Sequence, residues 1–259
     1  MAGVRYTDLT YIELRELAPT VGAVLIPLGC TEQQGPHLPV DFDAWMIEHL
    51  CLDIAAWLKN EQGLTVLTMP TLPFGPTPEH VGFLYGYVNL RQSTHEAVVE
   101  DILESLAAQG FEHLLVWRGC GGHDLSRVVD EFNATHEVAF ACQPVINYGG
   151  ICLAAFGGPV PGGHADSFAT SIRLHLDGER VRTADIRRPR GEAITIDWSD
   201  PLDFSAFSDT GVIGDPTRAS KEAGAKIWQL CVEEGARIVL DVVGGKKDIE
   251  QRFGWWTEP

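Results

Sequence analysis

The feature that most constrains this chain is an alternation of short apolar runs with longer amphipathic stretches. Runs suited to buried strands recur at 23–28 (AVLIPL), 65–69 (TVLTM), 113–117 (HLLVW) and 143–147 (QPVIN). Between them the apolar period changes to that of a helix. Residues 44–60 put Ile47, Leu50, Ile54 and Leu58 on one stripe, and 94–108 do the same with Val98, Ile102 and Leu106. Segments 124–137 and 219–240 follow, the latter through Ala223, Ile227, Leu230 and Ile238. Strands separated by helices pair in parallel, because each crossover helix must pack back on the sheet. The pattern predicts an α/β fold, a mainly parallel β-sheet flanked by helices on both faces. The polar stretch 177–215, rich in Asp, Arg and Pro, predicts an excursion with short strands before the last helix. No internal repeat or linker interrupts the 259 residues, a length that one core can serve, so 1–259 reads as a single domain.

Composition narrows the partners. A formal charge of −17 repels phosphate backbones and anionic lipid surfaces, which argues against nucleic acid and membrane as partners, while solubility alone accounts for most of the acidity. The partner expected is a small-molecule substrate. The N-terminus lacks the basic start and apolar run of a secretory signal, and no stretch approaches the roughly 20 apolar residues of a membrane span. A cytoplasmic location is expected. Cys30, Cys51, Cys120, Cys142, Cys152 and Cys231 have no C-x-x-C spacing, so they read as thiols, most of them small core residues.

Ligands of parallel sheets gather at the carboxyl ends of the strands. The loops leaving those ends read GCTEQQGPHLPVDFD, PTLPFGPTPEH, RGCGGHD and YGGICLAAFGGPVPGGHAD. The first holds Glu32, Gln34, His37, Asp41 and Asp43, a density of carboxylate and imidazole that suits a divalent cation. A solvated acidic loop in which Asp43 caps the helix starting near Ala44 accounts for the same residues equally well. Cys120 and His123 in the third loop suit a borderline metal, or a thiol nucleophile with an imidazole partner, or an inert thiol beside a loop histidine. His164 opens a helix and suits acid–base work, with Asp166 close behind it; His80 follows Glu79 and faces the same edge. Tyr85, Tyr87, Trp117, Tyr148 and Phe156 line a flat apolar ligand or belong to the core.

Together these segments resemble the creatininase (creatinine amidohydrolase) family over nearly the whole chain. PLGCTEQQGPHLPVDFD resembles the signature in which a Glu, a His two residues later and a downstream Asp bind two divalent metals. PFGPTPEHVGF, WRGCGGHD, GGHADSFATS and GVIGDPTRASKEAG resemble its later motifs in order. The resemblance implies a creatininase-like fold, hydrolysis of C–N bonds in small cyclic or linear amides, and a homo-oligomer, often a hexamer. It makes Glu32 and Asp43 metal ligands, with Asp43 bridging, and His164 the general acid or base. Departures accompany it: Gln34 stands for the first histidine, Cys120 for the histidine of the third loop, and Ser167 and Ala169 for two glutamates. Phe83, Leu84, Tyr85 and Gly86 replace the family's Phe-Pro-Gly-Thr beside the substrate.

The expectation is therefore an amidohydrolase-like enzyme on a small amide or lactam, with His164, Cys120 and Glu32 catalytic and His80, Tyr85, Gln34 and Asp166 at the substrate. It holds at most one divalent metal (zinc, manganese or iron) on Glu32, Asp43, Cys120 and His123. Two other outcomes stand beside it. One is metal-independent chemistry, such as ring closure, isomerisation or acyl transfer through Cys120 or His164; the other is a non-catalytic relative that binds a small molecule.

Overall fold

Five strands run through the centre of the computed structural model, which describes residues 4–160, 162–190 and 203–249. They are β1 (Val4–Arg5), β2 (Ala23–Leu28), β3 (Val66–Thr68), β4 (His113–Arg118) and β5 (Phe140–Cys142). All pair in parallel, in the order β1-β3-β2-β4-β5. Every residue of β2 is buried, as expected of a central strand covered on both faces.

The period of two along the strands divides the interior into two cores. Ala23, Leu25, Leu115 and Trp117 face one side, where α2 (Phe42–Gln62), α5 (Tyr148–Phe156), α6 (Ser167–Asp177) and α7 (Lys221–Val243) pack. Val24, Ile26, Leu28, Leu114 and Val116 face the other, covered by α1 (Tyr11–Leu17), α3 (Gln92–Ala108) and α4 (Ser126–Thr135). The expected stripe of α2 is its buried face: Ile47, Leu50, Ile54 and Leu58 are all at or near zero exposure.

Three local expectations are corrected. The run at 143–147 is not a strand: pairing with β4 ends at Leu115 and Cys142. Just beyond, the Gln143 side chain donates to the His123 carbonyl and accepts from the Leu125 amide, so this residue braces a loop instead of extending the sheet. The Gly-rich segment after it contains α5, with Asn147 as N-cap and Gly157 in a left-handed conformation at its end. Within 177–215 the described residues form single helical turns at Gly178–Arg180, Thr183–Asp185 and Phe204–Ala206, with no short strands; residues 191–202 lie outside the described part.

Two glycines set the distance between α2 and the sheet. Gly29 and Gly119 follow β2 and β4, neighbouring strands. A Cβ on Gly29 would lie 2.3 Å from the Ala44 Cα, and one on Gly119 would lie 2.6 Å from the Asp43 carbonyl oxygen. Only residues without a side chain let the first turn of α2 rest on both strand ends. That turn carries Asp43 to the carboxyl edge of the sheet.

Candidate functional site

Glu32 leaves the end of β2 and Cys120 the end of β4, so adjacent strands deliver them side by side. Ligand atoms of Cys30, Glu32, Asp43 and Cys120 lie within 4.8 Å of one another, and so do those of Cys30, Cys120 and His123. The Cys30 Sγ is 2.9 Å from His123 Nε2, while Cys120 Sγ is 3.9 Å from Glu32 Oε2. Thus the histidine of the third loop meets Cys30 rather than Cys120.

On the other side of Glu32 stand two imidazoles. Its Oε1 is 3.3 Å from His80 Nε2 and 3.5 Å from His164 Nδ1, and the two rings are 4.5 Å apart with Phe204 against both. Gln33 decides how each ring presents itself. Its amide Nε2 donates to the Gly211 carbonyl (3.1 Å) and to His80 Nδ1 (2.9 Å), while its Oε1 accepts from the Gly35 amide. His80 Nδ1 is then an acceptor, so the neutral ring carries its hydrogen on Nε2, toward Glu32. His164 Nε2 donates to the Gln33 carbonyl (2.6 Å), which leaves the Nδ1 lone pair facing Glu32.

Burial governs the electrostatics. It raises the Glu32 and Asp43 carboxyls above their usual range, Glu32 to about 8, and the charge of Glu79 adds to both. Glu32 pushes Asp43 further up, while hydrogen bonds with Asp43, Cys30 and Cys120 pull Glu32 part of the way back. The Gln34 amide donates to Asp43 Oδ2 (3.1 Å) and Glu32 Oε1 (3.4 Å). Among the described residues no Lys or Arg pairs with Glu32, Asp43 or Glu79. Burial also holds His80 down to about 4 and places His164 and His123 well below the ordinary imidazole range. The Cys120 thiol is pulled down by its Cys30 hydrogen bond but pushed further up by burial and the carboxylates, to about 12.

The remaining candidates lie further out. Asp166 is the N-cap of α6, accepting from the amides of Phe168 and Ala169 and from Gly163. His164 therefore precedes that helix by three residues rather than opening it. Tyr85 stands on the rim, 83% exposed, beside Leu84 at 74%. Trp117 belongs to the core, His37 meets Thr170, and Asp41 pairs with Arg173. The capping expectation for Asp43 is overturned: it lies in the first turn of α2, and its carboxylate meets Gln34 instead. Sequence reasoning gave no site role to Cys30, Gln33, Glu79 or Phe204, although Gln33 lies between Glu32 and Gln34 and Glu79 precedes His80.

The family's pair of divalent cations can be held against these side chains. Gln34 turns N–H groups, not a lone pair, toward both carboxylates. The Ser167 hydroxyl donates to the Asp215 carbonyl, and Ala169 has no donor atom. Glu32, His80 and His164 are also close enough to share an ion, but the His80 nitrogen facing Glu32 carries a hydrogen. The donors that remain fit a cation at Cys30 and Cys120, with Glu32 and Asp43 in one group and His123 in another.

The model of the creatininase family, described as creatinine amidohydrolase, matches residues 7–239. The chain belongs to the creatininase family. Among its relatives is the mycofactocin precursor peptide peptidase of Mycobacterium tuberculosis (strain CDC 1551 / Oshkosh), 29% identical over 233 residues that cover 86% of this chain and 87% of that protein. A candidate creatinine amidohydrolase of Bacteroides fragilis NCTC 9343 shares the fold with a TM-score of 0.78 at 23% identity, covering 93% of this chain and 96% of that one. A creatininase with Mn and a variant creatininase of Zn–Zn type each match with a TM-score of 0.76, at 20% and 21% identity, over 93% of this chain and 99% and 98% of theirs. The creatininase fold thus accommodates a site whose donors have changed.

Proposed function

We propose that this creatininase-family protein hydrolyses the C–N bond of a small amide or lactam, with one divalent cation, zinc, manganese or iron, held by Glu32, Asp43, Cys120 and His123. The observation that carries the reading is that one carboxylate, Glu32, joins the cluster of metal-donor atoms to two imidazoles whose tautomers are set by Gln33. A divalent cation in such a site polarises the carbonyl and acidifies a water molecule. The chain's own residues supply the rest. His164 is neutral because it is buried, so its Nδ1 lone pair accepts a proton as water attacks and returns it to the departing nitrogen. Glu32, 3.5 Å away, stabilises the imidazolium while the proton resides there. The His80 Nε2–H holds Glu32 in place, and Phe204 shields the two rings from bulk water.

A second reading places a peptide amide in the same site. Supporting it are the peptidase relative and the exposed apolar side chains of Val81, Leu84, Tyr85 and Phe207 on the rim, which suit a longer substrate than a single small ring. Mass spectrometry of products from a panel of lactams, small amides and short peptides tests both. Turnover of any panel member that is lost in Glu32→Gln and His164→Asn supports amide hydrolysis; turnover that survives both changes refutes it.

A further inference from the structure

We propose that Cys30 and Cys120 are paired thiolate ligands, with His123, of a single thiophilic cation such as Zn2+, so that this chain has exchanged its family's oxygen- and imidazole-rich centre for a sulfur-rich one. The inference rests on the reading above only in supposing that the cluster holds a cation. It adds Cys30 as a ligand, and with it a preference among metals.

Cys30 and Cys120 are shared by two donor groups of the site, one completed by Glu32 and Asp43 and the other by His123. A cation between the two sulfurs is therefore within reach of His123 on one side and of Glu32 and Asp43 on the other. Within each of these two groups the donor atoms lie within 4.8 Å of one another, the scale of a tetrahedral zinc site, whose ligand-to-ligand edge is about 3.8 Å for sulfur at about 2.3 Å from the metal. All these donors are rigidly held: Cys30 and His123 have no exposure, and Cys120 has 6%. The His123 Nε2 already points at the Cys30 sulfur. Its loop is tied down by Gln143 and by Arg118, both of which donate to the His123 carbonyl.

Charge and softness point the same way. Glu32, Asp43 and Glu79 converge without an Arg or Lys partner among the described residues, a collection of acids that a cation would neutralise. Two sulfurs and an imidazole favour zinc over manganese, which prefers oxygen donors. The binding step balances simply: each thiol gives up its proton to solvent as its sulfur lone pair binds the ion, and no redox partner is needed.

The test uses the full chain, stripped of metal with a chelator and then titrated with Zn2+, Mn2+ or Co2+. One Zn2+ per chain is expected, bound at least tenfold more tightly than Mn2+. The Co2+ form should show a thiolate-to-cobalt charge-transfer band in the near ultraviolet. Cys30→Ser and Cys120→Ser should each cut that band by about half and weaken Zn2+ binding at least tenfold, whereas Cys231→Ser should leave both unchanged. Should either site variant fail to fold, the wild-type spectrum decides alone. Bound Co2+ without a thiolate band, no Zn2+ binding, or Mn2+ bound as tightly as Zn2+ overturns the proposal. A thiolate band in a chain that hydrolyses no amide refutes the catalytic reading and leaves the sulfur site standing; amide hydrolysis without the band does the reverse.

Discussion

Replacing Gln33 by Glu changes one nitrogen for one oxygen and tests the orientation argument directly. In the wild type the Gln33 amide donates to both the Gly211 carbonyl and His80 Nδ1. A carboxylate can donate to neither. Toward His80 the bond is recovered if the ring moves its hydrogen from Nε2 to Nδ1, which removes the donor that faces Glu32. Toward Gly211 no rearrangement helps, because two acceptors then meet at the 3.1 Å now spanned by a hydrogen bond. Leaving a buried polar group unsatisfied costs about 1–3 kcal/mol, so the folding constant should fall roughly 5- to 150-fold at about 1.4 kcal/mol per decade. Urea denaturation at pH 7 measures the loss. The 15N shifts of the His80 ring report the tautomer, with hydrogen on Nε2 in the wild type and on Nδ1 in Gln33→Glu. A wild-type ring protonated on Nδ1, or a variant that is as stable as the parent and keeps the hydrogen on Nε2, would refute the reasoning.

Three further outcomes are expected. Asp43→Asn removes an anionic oxygen from the cluster and should weaken divalent-metal binding at least tenfold by isothermal titration; an unchanged affinity removes Asp43 from the ligand set. Gly119→Ala puts a methyl 2.6 Å from the Asp43 carbonyl oxygen and should cost about 1–3 kcal/mol in urea unfolding, the range of core overpacking, with no change meaning that α2 does not rest on the strand ends. His37 is fully buried and held down to about 4 by desolvation, below its unfolded value of 6.5. The unfolded chain therefore binds its proton first: the contribution to stability is complete above pH 6.5 and is lost as pH falls toward 4, by up to about 3 kcal/mol at 1.36 kcal/mol per pH unit. His37→Asn should flatten that part of the urea midpoint profile, and a profile identical to wild type's removes His37 as a cause of acid sensitivity.

The parts of this molecule that could be read from its residues are those whose partners are local or generic. AVLIPL is apolar throughout because β2 is covered on both faces, so any sheet would have used it that way. Glu32, Asp43, Cys120 and His164 stood out because charged or reactive side chains cluster at strand ends for few reasons. β5 was misplaced because its three residues are defined by pairing with β4, whereas the run QPVIN after them is committed elsewhere by Gln143. Cys30 resembled any of six dispersed thiols until β2 and β4 became neighbours. Gln33 is a neutral residue whose three side-chain partners, His80, Gly211 and Gly35, arrive from two distant segments and one near one. No spacing rule along the chain announces such a convergence.

Glu32, Gln33 and Gln34 are consecutive, yet each answers to a different set of partners: the first to two imidazoles, the second to ring orientation, the third to the bridge between two carboxylates. Inserting or deleting one residue after Gly29 would reassign all three duties at once. This stretch can accordingly diverge in lineage only by exchanging side chains at fixed length, as Gln34 for histidine illustrates. The exposed side chains of Leu84 and Tyr85 answer to no such buried set of partners.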